Sequence, residues 1–322
     1  MIRVAVVGAG HFGRQHARVY GSVQGARLVA VCDVNEETGR SVASQLGVEY
    51  ASDFRQLIGK VDAISLAVPT VEHHAVASEL IDAGIGVLVE KPITRTLEEA
   101  DDLIRLATRS KGVLQVGHLE RFNPAVMAAR GIATSPRFFE AHRLSVFTPR
   151  SLDIDVVMDL MIHDLDVVLS LVKSPVSEIR AAGVPVVTPR VDIANARIEF
   201  ENGCVANLTA SRVSGDKVRK LRFFQPNQYV SIDYSLQEAT TVAVRGTGAG
   251  LVPEFEARSL PVVRDEPLRL EIASFLSAVS GGKVEVAGTD GRRALELALG
   301  VTGRIAEHAL KILTGSPPGS SN

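Results

Sequence analysis

The stretch "MIRVAVVGAGHFGRQHARVY", residues 1–20, decides how the rest of the chain is read. Ile2 to Val7 is apolar apart from Arg3, the composition of a strand buried on both faces. A helical run begins near His11 and extends to Tyr20, and between the two lie Gly8, Gly10 and Gly13. The chain holds 27 glycines in 322 residues, so this spacing alone is weak, with about 0.2 chance matches expected. Its context is stronger. The glycines follow a strand, open a helix, and precede an acid, Asp33, that ends the next strand 20 residues after Gly13. In a dinucleotide cradle Gly8 makes the turn, Gly10 lets backbone N–H groups approach a pyrophosphate, and Gly13 permits close helix packing. The helix N-terminus adds partial positive charge. Asp33 is placed to accept hydrogen bonds from the adenosine ribose and to repel a 2′-phosphate, which favours NAD over NADP. The stretch reads as a cofactor cradle, with a purely structural turn as the alternative.

Outward from this stretch, the first 118 residues alternate strand and helix patterns. "ARLVAVCD", "VDAISLAVP", "IGVLVE" and "GVLQVGH" read as apolar strands, separated by helices such as "NEETGRSVASQLG", which stops at Gly47. Thr96 is a candidate N-cap with Glu99 as its capping-box partner. Such a pattern implies a parallel sheet covered on both faces, a doubly wound α/β domain. After Asn123 the rhythm changes. One apolar helix, "DVVMDLMIHDLDVVLSLV", is followed by alternating segments from "VSEIRAAGVPVV" to "QYVSIDYS", with Asn202-Gly203 as a hairpin turn. Two helices close the chain. The expected division is therefore a Rossmann domain over 1–120, an α+β domain over 121–314, and a disordered tail over 315–322.

Bulk composition limits the function classes. Lysine and arginine number 35 against 37 acidic residues, a formal net charge of -2, which argues against a broad nucleic-acid or membrane-surface partner. No apolar run approaches the ~20 residues of a membrane-spanning helix, and Ile2 to Val7 reads as buried sheet rather than as a leader. Cys32 and Cys204 each sit in an apolar run and are expected to be buried thiols in a reducing compartment. The expected location is the cytoplasm.

Several polar residues could carry chemistry. "LAVPTVEHHAV" ends a parallel strand, where polar groups commonly line a cofactor crevice; Thr70 and His73 could equally cap a helix or face solvent. In "VLVEKPIT", Lys91 follows a strand and could stabilise alkoxide charge, or simply be solvated. "VVMDLMIHDLDVV" spaces Asp159, His163 and Asp166 to share one face of an α-helix, with Asp164 pointing elsewhere. A histidine flanked by carboxylates suits a general base; a satisfied buried histidine is the alternative. Two carboxylates and one histidine make a poor metal site, and none is expected. Arg150 precedes this helix and could meet a phosphorylated group, whereas Arg212, Lys217, Arg219 and Lys220 read as surface charge.

Taken together, Gly8-Ala9-Gly10-His11-Phe12-Gly13, the strand end Val68-Pro69-Thr70 with His73, Glu90-Lys91-Pro92, and Asp159-x-x-x-His163 resemble the Gfo/Idh/MocA oxidoreductase family in order and spacing. The resemblance covers nearly the whole chain. It implies an N-terminal Rossmann domain and a C-terminal α+β domain with an open, mainly antiparallel sheet, whose exposed face often forms a homo-oligomer interface. It further implies NAD(P)-dependent oxidation of a secondary alcohol on a sugar or cyclitol. Lys91 and His163 would form the proton-handling pair, with Asp159 assisting. Gly8, Gly10, His11, Phe12, Gly13, Asp33, Val68, Pro69, Thr70, His73, Glu90 and Lys91 would lie along NAD. Many members carry a glycine where Met161 stands, so the pocket floor is expected to differ. "GHLERFNPAV" and "DLMIHDLD" are most similar to the branch of UDP-N-acetylglucosamine 3-dehydrogenases, which implies a nucleotide-sugar substrate. Glu120, Arg121, Asn123 and Arg150, with Lys91, Asp159 and His163, are the expected substrate contacts. A free polyol or cyclitol dehydrogenase, or a non-catalytic NAD(H) sensor, are the other readings.

Overall fold

The structure, a computed structural model, describes residues 1–149, 154–245 and 253–313. Two compact units emerge: Met1–Phe122 together with Asp265–Leu295, and Asn123–Arg264 together with the described residues from Glu296. In the first, β1 (Ile2–Val7), α1 (His11–Tyr20), β2 (Ala26–Cys32), α2 (Glu36–Leu46), β3 (Glu49–Ala51), β4 (Ala63–Leu66), α3 (Thr70–Asp82), β5 (Gly86–Glu90), α4 (Leu97–Ser110) and β6 (Leu114–Gly117) follow in sequence. The six strands form one sheet in the order β3-β2-β1-β4-β5-β6, parallel throughout. The order reverses beside β1, which is where a doubly wound sheet opens its ligand crevice. Local signals match this outcome. Thr96 and Glu99 form the reciprocal capping box of α4, and Gly47 closes α2 in the left-handed conformation, φ 65°.

In the second unit come α5 (Pro124–Arg130), β7 (Phe138–Leu144), α6 (Ile162–Leu171), β8 (Val176–Val184), β9 (Ile193–Phe200), β10 (Val205–Ser211), β11 (Val218–Gln225), β12 (Gln228–Asp233), β13 (Glu238–Arg245) and β14 (Glu254–Ser259). They build an eight-stranded sheet, β14-β13-β12-β11-β7-β10-β9-β8. Only the β7–β10 pair among these runs parallel. Gly203, φ +78°, makes the β9–β10 turn at the anticipated Asn202-Gly203. Strands β13 and β14 were not among the expected segments. Their sequences are rich in Thr, Glu and Arg, and their pairing rather than an apolar pattern makes them strands.

The expected single second domain over 121–314 needs correction. Helix α7 (Pro267–Val279) belongs to the first unit, because Leu268, Ile272, Phe275 and Leu276 enter the same core as Val4, Val6, Ala17 and Tyr20. Helix α8 (Gly288–Leu313) follows it. The expected tail over 315–322 lies outside the described residues. Cys32 and Cys204 are buried and free, and burial pushes their thiols up to about 12 and about 11. No helix among the described residues is long and apolar enough to cross a membrane.

The core of the second unit contains one strong polar contact. Arg143, on the buried face of β7, pairs in two-pronged fashion with Asp164 of α6 at 2.7 and 3.0 Å, and both side chains are almost wholly buried. Asp164→Ala leaves a buried guanidinium without its carboxylate. The expected loss of stability is about 3–5 kcal/mol, read from the urea midpoint at constant m-value.

Candidate active site

The glycine loop is dictated by close approach. A Cβ on Gly8, φ +93°, would lie 2.5 Å from the Ala67 carbonyl oxygen, and one on Gly13 would lie 1.7 Å from the carbonyl oxygen of Gly8. Neither position admits alanine without moving backbone. Gly10 differs: a Cβ there would meet nothing within 4 Å. The protein does not need glycine at this place, but a pyrophosphate resting on the backbone would. Gly10 is also the N-cap of α1 and supplies no side-chain acceptor to the first-turn N–H groups, which leaves them to an anion. His11 and Phe12 stand exposed at the same turn, their rings edge to face at 5.6 Å.

Asp33 has a double role. Its Oδ2 accepts the Ala9 N–H at 2.6 Å and its Oδ1 accepts the Asn35 N–H at 2.7 Å. The carboxylate therefore braces the glycine loop, while each oxygen retains a lone pair for a ribose hydroxyl. It borders a cavity of about 880 Å³ lined by Gly8, Gly10, Asp33, Phe54, Val68 and Pro69 among others. Arg55 lines it too. An arginine here could attract a 2′-phosphate, but Glu79 holds its guanidinium at 2.7 and 2.5 Å and Asp53 stands alongside. The ion pairs and Asp33 together keep the ribose end of the crevice unattractive to a further phosphate.

At the carboxyl ends of β4 and β5, two expected cofactor residues turn out to face the protein. His73 is buried, with Nδ1 3.0 Å from the Pro92 carbonyl and Nε2 3.0 Å from that of Val68. Its one ring N–H donates to one of these carbonyls, between the segments after two neighbouring strands, and neither ring nitrogen is presented to a ligand. Glu90 places Oε1 2.8 Å from His16 Nε2, and its Oε2 accepts the Lys91 N–H at 3.3 Å. It too supports the crevice from behind. Val68 and Lys91 are half-buried, Pro69 is exposed, and Thr70 opens α3.

In the second unit, the predicted single α-helix begins instead as a π-helical turn, Val157–Met161, which passes into α6 at Ile162. Asp155 starts the turn by accepting the N–H groups of Val157 and Met158, both at 2.9 Å. A π turn closes i→i+5 and is common at functional sites, so the α-helical spacing from Asp159 to His163 is interrupted, whereas His163 and Asp166 remain three residues apart within α6. Asp159 and His163 are half-buried, whereas Asp166 is buried. Met161 is buried in the turn itself.

Residues 2–118 match the oxidoreductase family model described as an NAD-binding Rossmann fold, and residues 126–227 match the GFO/IDH/MocA C-terminal domain. The chain belongs to the Gfo/Idh/MocA family. It is 41% identical over 318 residues to UDP-N-acetylglucosamine 3-dehydrogenase of Acidithiobacillus ferrooxidans, covering 96% of this chain and 98% of that one. It is 27% identical over 321 residues to scyllo-inositol 2-dehydrogenase (NAD(+)) of Bacillus subtilis, covering 93% and 92%. A solved structure of the Acidithiobacillus ferrooxidans enzyme superposes with a TM-score of 0.89 at 38% identity, covering 95% of this chain and 98% of that chain.

For a Gfo/Idh/MocA protein, the expected substrate contacts divide unevenly. Glu120 is largely buried, and Arg121 pairs with Asp290 at 3.5 Å. The Asn123 side chain caps α5 through Ala125 N–H (3.1 Å) and donates to the Tyr234 carbonyl (3.1 Å). Arg150 lies outside the described residues. Arg212 is buried and donates to the Ile154 carbonyl at 2.7 Å, so it is structural rather than surface charge. Arg55 and Glu79 are the cofactor-crevice residues that sequence reasoning missed, since a charged pair 24 residues apart carries no local signal.

Two outcomes are expected. Gly10→Val should fold normally yet weaken NAD binding at least roughly tenfold by filling the cradle, as read by calorimetric titration, with an unchanged melting temperature as the control. The second concerns His73, whose imidazole burial holds below its ordinary value despite two nearby carbonyls. The unfolded chain takes up a proton near pH ~6.5 that the folded ring refuses. Stability should therefore fall as pH drops from 7 to 5, and His73→Asn should flatten that slope in urea titrations.

Proposed function

We propose that this protein is an NAD-dependent dehydrogenase that oxidises a ring hydroxyl of a nucleotide sugar, the 3-hydroxyl of UDP-N-acetylglucosamine, to the ketone. The observation that carries the reading is the 41% identity to a UDP-N-acetylglucosamine 3-dehydrogenase along 96% of the chain. The more distant cyclitol dehydrogenase relative shares the chemistry at lower identity. A glycine cradle closed to side chains by its own backbone, yet open at Gly10, supports NAD as the cofactor.

Oxidation removes a proton from the hydroxyl and a hydride from the carbon that bears it. NAD, when bound, supplies the hydride acceptor. Neutral His163 takes the hydroxyl proton, and Asp159 orients its ring and favours the imidazolium that results. Lys91 donates a hydrogen bond to the same oxygen and stabilises the developing alkoxide. Its main chain is held by Glu90, so the side chain starts from a fixed point. Glu120, Arg121 and Arg150 are proposed to contact the substrate. The open face of the eight-stranded sheet, where Phe255 is exposed, is proposed for self-association into a homo-oligomer. Free, buried Cys32 and Cys204 support a reducing, cytoplasmic location.

The test is NAD reduction followed by absorbance with UDP-N-acetylglucosamine, free N-acetylglucosamine and myo-inositol. Turnover is expected with the nucleotide sugar alone, and Lys91→Met should lower kcat roughly 10²-fold or more. Turnover of the free polyol would replace the substrate while keeping the chemistry. Asp159→Asn should move the acid limb of the pH–rate profile to lower pH, since an imidazolium without its carboxylate loses its proton more easily.

A further inference from the structure

Glu271, on α7, is the one acid of this helix turned into the core of the first unit, and it is fully buried. Neither of its carboxyl oxygens accepts a hydrogen bond from a described residue. His16 of α1 and Glu90 of β5 lie beside it, and one ligating atom from each of the three lies within 4.8 Å of the others. From β6, Gln115 donates its side-chain N–H to the Glu271 main-chain carbonyl at 3.2 Å, which leaves the carboxyl group itself aimed at the pair.

The hydrogen-bond chain behind His16 gives this cluster a direction. Tyr20 Oη and His16 Nδ1 lie 2.8 and 3.0 Å from Ser65 Oγ. Burial raises the Tyr20 phenol above its ordinary value, so it remains a donor. The arrangement that satisfies every atom has Tyr20 donating to Ser65, Ser65 donating to His16 Nδ1, and His16 Nε2–H donating to Glu90 at 2.8 Å. Glu90 is then the carboxylate. Burial opposes its ionisation, but the hydrogen bond from His16 and the nearby charge of Lys91 bring it below the usual range. A second carboxylate this close would be opposed by like-charge repulsion that the protein interior screens less than water does. Burial first, and the charge of Glu90 second, push Glu271 well above the usual range.

We propose that Glu271 is a positioning residue for Lys91: as a neutral acid it donates a hydrogen bond to the Glu90 carboxylate and, with His16, fixes the group that holds the Lys91 main chain. This rests on the catalytic role of Lys91 given above. Bond-making is confined to a proton that stays on Glu271, and no group is transferred. The arrangement places one negative charge behind Lys91. Were Glu271 ionised there would be two, and the lysine would hold its proton more tightly.

The experiment has two arms on the intact protein. The first uses infrared difference spectra at pH 7 with NAD and no sugar, comparing wild type with Glu271→Gln. A protonated carboxyl C=O band present in wild type and missing from the variant is the expected result. Its absence overturns the proposal, and so does a bound divalent metal at one equivalent that the variant loses, since His16, Glu90 and Glu271 would then be ligands. The second compares the pH–rate profiles of NAD reduction. Glu271→Leu, which cannot donate to Glu90, should lower kcat roughly tenfold with KM little changed. Glu271→Gln, whose amide restores the donor, should recover most of that loss. Equal impairment in both variants overturns the proposal. The infrared arm needs no turnover, so it reads the proton on Glu271 even if the sugar assignment fails, and it reads Glu271→Gln even if the leucine variant does not fold.

Discussion

The carbonyl oxygen of Gly8 and the α-carbon of Gly13 approach so closely that one methyl group would end the fold of the first unit. That contact sets the angle at which α1 leaves β1. From it follow the position of the helix N-terminus at the crevice and, about one and two turns further along, the depth at which His16 and Tyr20 enter the core. Both depend on a helix packed tightly against the sheet at its first turn. Asp33 ties the same loop to the end of β2 through Ala9, so an acid that borders the crevice also holds the glycine loop that borders it. The binding site is stiff because its own ligand-facing groups are its struts.

Charge is distributed with similar economy. Arg55 enters the crevice already matched by Glu79 and Asp53, and Asp33 adds a negative charge nearby. This balance suits the two bare ribose hydroxyls of NAD and penalises an added phosphate. On the other side of the sheet's midline, His73 offers its ring to two carbonyls and Glu90 its carboxylate to His16 and a main-chain N–H. These residues surround the strand ends beside a half-buried turn and so help place its lysine.

Legibility from sequence followed the range of each interaction. The strand–glycine–helix unit, the capping box at Thr96 and the Asn202-Gly203 turn are local, and each is readable because short-range sterics and hydrogen bonds decide it. The family motifs were readable for the same reason. His73 was harder: its partners are backbone carbonyls, which no side-chain pattern reveals. Asn123 caps α5, a role that its place before Pro124 also makes readable. The π turn escaped because an apolar run through Val156–Met161 has the same composition in either helix type. Strands β13 and β14 escaped because their alternation is polar. Glu271 had no signal at all; a lone glutamate on an amphipathic helix reads as solvated until its partner from a distant strand is known.

The return of Asp265–Leu295 to the first unit has a consequence for the order of manufacture. A ribosome releases Met1–Phe122 long before α7 exists. Until then the apolar side of α1 that will receive Phe275 and Ile272 has no cover, and the carboxylate of Glu90 has His16 but not its acidic neighbour. The nucleotide-binding half therefore cannot mature as an independent early domain. It must wait, partly open, while the whole β-rich unit is synthesised, a window in which chaperone capture or misassembly competes with completion.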